Sequence, residues 1–79
     1  MEALLFISID LKKRTMLEQR IIKTRGVKRV MEILGQYDIA VEISADNRER
    51  LEELISKLSS IEGVDRIATY VISKEILPS

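Results

Sequence analysis

A chain of 79 residues suffices for one small domain, and such a domain buries only about 60% of the surface its unfolded form exposes. With no Cys and no His, it has no disulfide, no Cys/His metal centre, and no thiol or imidazole for catalysis. Net charge is zero, but residues 10–30 hold eight Lys/Arg against two acids, while residues 31–65 hold nine acids against three bases.

Residues 3–9 (ALLFISI) predict a strand, rich in β-formers and apolar on both faces. Residues 12–25 predict a helix. Its apolar stripe is Leu17 and Ile21, flanked by Met16 and Thr24, and Lys12, Lys13, Arg14, Arg20 and Lys23 occupy the remainder. Gly26 is expected to stop it, since glycine accepts the left-handed conformation past a helix C-terminus. Residues 27–34 predict a second strand, Gly35, Gln36, Tyr37 and Asp38 a turn, and residues 39–45 a third strand. In that strand Ile39, Val41 and Ile43 alternate with Ala40, Glu42 and Ser44, so one face is expected to be buried. Asp46 with Glu49 three residues on reads as a capping box opening the second helix. Leu51, Leu54, Ile55, Leu58 and Ile61 follow at helical spacing. Burying five such side chains contributes on the order of 8–15 kcal/mol gross. Glu53 and Lys57 are spaced for an i,i+4 ion pair, and Gly63 closes the element. Residues 64–73 (VDRIATYVIS) predict the last strand, and residues 74–79, with Pro78, a short extension or an irregular tail.

The order β-α-β-β-α-β is the ferredoxin-like α+β plan. Right-handed crossovers put two helices on one face of a four-stranded antiparallel sheet. The other face should be polar if it meets water. Yet the first strand is apolar on both faces, and the last sets Val64, Ala68, Tyr70 and Ile72 opposite Ile67 and Val71. An uncovered apolar face marks an interface. Sheet-to-sheet dimerisation with C2 symmetry, giving a dimeric α+β sandwich or barrel, is the simplest cover. It also supplies the support that a domain this small needs.

An enzyme is not expected, because so short a chain rarely forms both a core and a deep pocket. The longest apolar run is far short of the ~20 residues that span a bilayer, and no charged start leads into it, so a soluble protein is expected. The absence of Cys fits a reducing cytoplasm.

Four sites carry possible chemistry. Backbone N–H groups around Gly35 are suited to hold a carboxylate, and Asp38 an ammonium; the same four residues also fit a plain hairpin turn. Thr69 and Tyr70 offer hydroxyls, or are simply β-formers. The basic first helix fits phosphate contact or a solvated face. An RNA-reading sheet would need stacked aromatics on its central strands, and only Phe6 is available. Glu32 and Glu42 sit on neighbouring strands, where a carboxylate pair is conceivable, although solvation or interface pairing fits as well.

The run Gly35-Gln36-Tyr37-Asp38, then an alternating strand, a Leu-rich helix, Gly63-Val64 and Thr69-Tyr70-Val71-Ile72, resembles the effector-binding (RAM) domain of Lrp/AsnC transcription regulators over nearly the whole chain. The resemblance implies a domain that dimerises through its sheet, assembles into octamer-like rings and binds amino acids between dimers. It carries Gly35, Tyr37 and Asp38, with Gln36, into the ligand loop, and Thr69 into the last strand's contribution. No cofactor is implied. Two positions depart from the family pattern: Gln36 stands where an acid is common, and Ile67 where a first Thr is expected, which points to a different or weaker effector. With Met1 leading at once into the first strand, a single stand-alone domain over residues 1–79 is expected, without a helix-turn-helix domain. Such a domain would not bind operator DNA itself and would co-assemble with full-length Lrp/AsnC regulators. A ligand-free structural adaptor and an ACT-type regulatory subunit of a metabolic enzyme are the alternatives.

Overall fold

Alternation of large apolar residues dictates the strands, and the computed structural model describes residues 1–78 of the chain. The elements are β1 (Glu2–Ile9), α1 (Arg14–Ile22), β2 (Val27–Glu32), β3 (Ile39–Ser44), α2 (Arg48–Ser59) and β4 (Val64–Val71). All strand pairs are antiparallel, in the order β2-β3-β1-β4. This is the ferredoxin-like α+β arrangement. Its core is one cluster: Ala3, Leu5, Ile7 and Ile9 from β1, Ile39, Val41 and Ile43 from β3, Leu17 and Ile21 from α1, and Leu51, Leu54 and Leu58 from α2. Both helices therefore cover the same sheet face.

The helix ends differ from the sequence reading for local reasons. Asp10 Oδ1 accepts the Lys12 N–H at 3.1 Å and caps a short 3-10 turn, Leu11–Lys13, so α1 begins only at Arg14. It ends at Ile22; Thr24 is buried and donates its hydroxyl to the Arg20 carbonyl at 2.8 Å. Met16 stays exposed, outside the stripe. The cap of α2 is Asn47, not Asp46: Asn47 Oδ1 accepts the Arg50 N–H at 2.9 Å, a side-chain cap of the first turn. Glu53 pairs with Arg50 at 3.5 Å and not with Lys57.

Two register shifts set which residues share a face. In β4 one extra residue falls where Ser8 pairs with Arg66 but Ile9 pairs with Val64. Val64 consequently joins the helix-covered side and packs on the core, contrary to its expected place on the open face. A second shift in β2 lies between Val27 and Arg29. β4 stops at Val71, two residues short of the expected end, with the Ile72 N–H to Glu2 carbonyl bond (2.9 Å) beyond it. Lys74 to Pro78 are exposed, and the last residue of the expected tail, Ser79, lies outside the described residues.

The open face carries Leu4 and Phe6 from β1, Met31 from β2, Ala40 from β3 and Ala68 and Tyr70 from β4, as the pairings require. No helix covers this surface, and Tyr70 is 61% exposed. No helix among the described residues is long and apolar enough to cross a membrane.

Candidate functional site

The turn between β2 and β3 is held from below by the end of β1. The Asp38 N–H donates to the Ile7 carbonyl at 2.9 Å, and Asp38 Oδ2 accepts the Ile9 N–H at 2.9 Å. The Ile33 N–H donates to the Asp38 carbonyl at 3.0 Å, closing the turn on itself. The Asp38 carboxylate is thus half committed to the scaffold, with Oδ1 making no hydrogen bond among the described residues. Above this anchor the turn projects freely. Leu34 is fully exposed, and Gly35 has φ +149° with nothing within 4 Å of where a Cβ would stand. Gln36 is exposed beside it.

Tyr37 turns back onto the open sheet face. Its ring lies 6.2 Å from that of Phe6, and the Phe6 ring meets Tyr70 edge-on at 5.8 Å. The chain's three aromatic side chains thus form one connected group. Arg66 lies across it, its guanidinium 5.3 Å from the Tyr37 ring centre, and Nη2 reaches the Gln36 carbonyl at 3.4 Å. The Arg66 N–H is held by Ser8 Oγ at 3.2 Å. Arg66 was not singled out by sequence reasoning. Its alternation with Ala68 and Tyr70 in β4 was the available signal, because it places all three on one face.

Gly35, Gln36, Tyr37 and Asp38 are therefore brought together at the rim of an apolar, uncovered surface. Thr69 is not among them. It pairs with Leu5, whose side chain is fully buried under the helices, so Thr69 points to the opposite side of the sheet from Tyr37 and is exposed at the outer strand. Glu32 and Glu42 do not form a pair. Glu42 is paired in register with Arg29 on the open face, whereas Glu32 lies on the other face, 3.1 Å from Arg14. Arg14 also reaches Glu18 at 3.3 Å, so the carboxylates that Arg14 brings together are Glu18 and Glu32. Burial, aided by Glu32, holds the Glu18 carboxyl above its ordinary value. Glu32 is held below it by a hydrogen bond with Glu18 and by Arg14. No cluster of three or more metal-ligating side chains exists among the described residues.

Known proteins resemble this chain in sequence and in fold. A homocitrate synthase from Sulfolobus acidocaldarius is 36% identical over 62 residues, covering 78% of this chain and 13% of the enzyme. One from Saccharolobus islandicus is 33% identical over 76 residues, covering 95% and 16%. The chain thus spans about one seventh of the enzymes it matches. Among solved structures, E. coli AsnC superposes with a TM-score of 0.89 at 15% identity, over 99% of this chain and 54% of that one. A transcriptional regulator from Neisseria meningitidis, crystallised with L-Met, gives 0.89 at 18% identity, over 99% and 53%. A protein from Thermus thermophilus gives 0.89 at 22%, over 98% of both chains. These likenesses establish the shared fold. The sequence model of the Lrp/AsnC ligand-binding domain matches residues 2–79, and the chain belongs to that family of regulatory, effector-binding domains.

Proposed function

We propose that this domain senses an amino acid and reports its binding through self-assembly. One observation carries the reading: the turn from Gly35 to Asp38 is pinned to β1, yet projects at the rim of an uncovered aromatic face. In this reading the face bearing Leu4, Phe6, Ala68 and Tyr70 closes a homodimer, and dimers assemble further, up to an octamer-like ring. The effector binds between dimers at Gly35, Gln36, Tyr37 and Asp38. Backbone N–H groups of the turn take its carboxylate, and Asp38 Oδ1 takes its ammonium. Thr69 contributes from a neighbouring subunit, because within one protomer it lies on the other side of the sheet. The Neisseria regulator crystallised with L-Met supports the ligand class. Binding at an interface shifts assembly by the ligand's differential affinity for the two states. In this reading the domain acts in the cytoplasm and co-assembles with full-length Lrp/AsnC regulators.

A second reading rests on the higher identity, 33–36%, to a segment of homocitrate synthases. Here the same ligand-dependent assembly regulates a metabolic enzyme as a separate subunit. Light scattering and thermal melting with a panel of twenty amino acids at millimolar levels test the common core. A raised melting temperature or a changed oligomer supports it, and no response to any of the twenty ends it. Mixing the domain with a full-length regulator, and separately with a homocitrate synthase, separates the two readings by which one co-elutes.

A further inference from the structure

A second concave site lies at the opposite end of the β2–β3 pair from the Gly35 turn. There the Ser44 N–H donates to the Gly26 carbonyl at 2.9 Å, and the first turns of α2 pass alongside. The cleft has a volume of about 640 Å³, within the ~300–1,000 Å³ range of small-ligand sites. Four cations line it: Arg25, Lys28, Arg50 and Lys57, against two acids, Asp46 and Glu53. Glu53 is engaged by Arg50. Arg25, Lys28 and Lys57 have no ion-pair partner among the described residues. An adjoining cleft of about 300 Å³ shares Lys57 and adds Arg20.

Residue 26 has no room for a side chain, because Leu54 and the Ser44 carbonyl pack against its backbone beside the cleft. A Cβ there would stand 2.7 Å from Leu54 Cδ2 and 3.0 Å from the Ser44 carbonyl oxygen. The backbone N–H groups of Arg25 and Gly26 make no hydrogen bond among the described residues. Four cations against two acids give the lining a net charge of +2, which favours an anion carrying more than one negative charge. The aromatic rings all lie on the open sheet face, so nothing here stacks on a base.

We propose that this cleft binds a compact, multiply charged small anion, either a pyrophosphate-like group or a polycarboxylate. The site is independent of the amino-acid reading, since it shares no residue with the Gly35 turn. Isothermal titration at ~50 mM salt, where screening is weak, with sodium pyrophosphate and separately with citrate tests it. At least one of the two is expected to bind saturably. The double variant Lys28→Glu, Lys57→Glu is expected to weaken that binding on the order of tenfold or more. Both side chains are exposed, so the variant retains the fold. Preference for pyrophosphate marks a phosphate ligand, and preference for citrate a polycarboxylate. The proposal is overturned if neither anion saturates by about 10 mM, if the double variant binds unchanged, or if only duplex DNA binds. Asp38→Asn should leave the anion titration untouched, which keeps failure of this proposal distinct from failure of the amino-acid reading.

Discussion

Replacing Asp38 by alanine removes the acceptor that the Ile9 N–H uses at 2.9 Å. Ile9 is only 8% exposed, so the donor left behind is not freely hydrated. An unsatisfied buried donor costs about 1–3 kcal/mol. Asp38 itself is half-buried at a surface turn, so water recovers part of this and about 1–2 kcal/mol is expected. For a domain of this size that lowers the melting temperature by about 4–16 °C. Asp38→Asn keeps an oxygen in the same place and removes only the charge, so it should restore most of the loss. The two variants therefore separate the scaffold role from ligand pairing. If Asp38 also holds an ammonium, the amino-acid-induced rise in melting temperature disappears in both variants, although Asn stays as stable as the parent. Melts must be run at one protein concentration, because assembly shifts the midpoint. An Asp38→Ala protein that melts within about 2 °C of the parent refutes the structural argument. A full ligand response in Asp38→Asn refutes the charge argument.

Gly26→Ala should cost more than Gly35→Ala, although both glycines have positive φ. At residue 26 the methyl meets Leu54 Cδ2 at 2.7 Å and a carbonyl oxygen at 3.0 Å, while at residue 35 it meets open space. About 1 kcal/mol of backbone strain is expected at 35 and on the order of 2–4 kcal/mol at 26, and equal losses in urea melts would contradict this. Tyr70→Arg, on the uncovered face, should leave the protomer folded by circular dichroism but shift sedimentation toward monomer; an unchanged oligomer removes that face from the interface. Glu18→Gln tests the pair beside Arg14. Glu18 is held above the ordinary carboxyl value of 4.5, so its contribution is complete below 4.5 and is lost as pH rises through its folded value. Glu32 is held below 4.5, so its contribution is complete above that value and lost as pH falls through its folded one. The glutamine removes the Glu18 loss, so its stability relative to the parent should rise as pH increases above 4.5, and a difference that stays flat there refutes the assignment.

What the sequence made legible is what periodicity determines. Ile39, Val41 and Ile43 against Ala40, Glu42 and Ser44 assigned both faces of β3, and the Leu51, Leu54, Leu58 spacing assigned the inner face of α2. The misplacements come from single-residue shifts, which periodicity cannot see. Asp46 and Asn47 are both good caps, and geometry selected the second. In β4, Asp65 is an extra residue between two paired ones, so Val64 alone falls on the other side from Ala68 and Tyr70, which lie opposite Ile67 and Val71 as expected. Counting from the core instead gives the functional consequence. Ile67, Thr69 and Val71 pair with Ile7, Leu5 and Ala3, so all three lie on the helix-covered side. Arg66, Ala68 and Tyr70 lie on the other side, with Tyr37. A ligand gripped by both Tyr37 and Thr69 cannot then sit within one protomer. On this strand Ile67 is partly buried on the helix-covered side, where it packs against the core cluster.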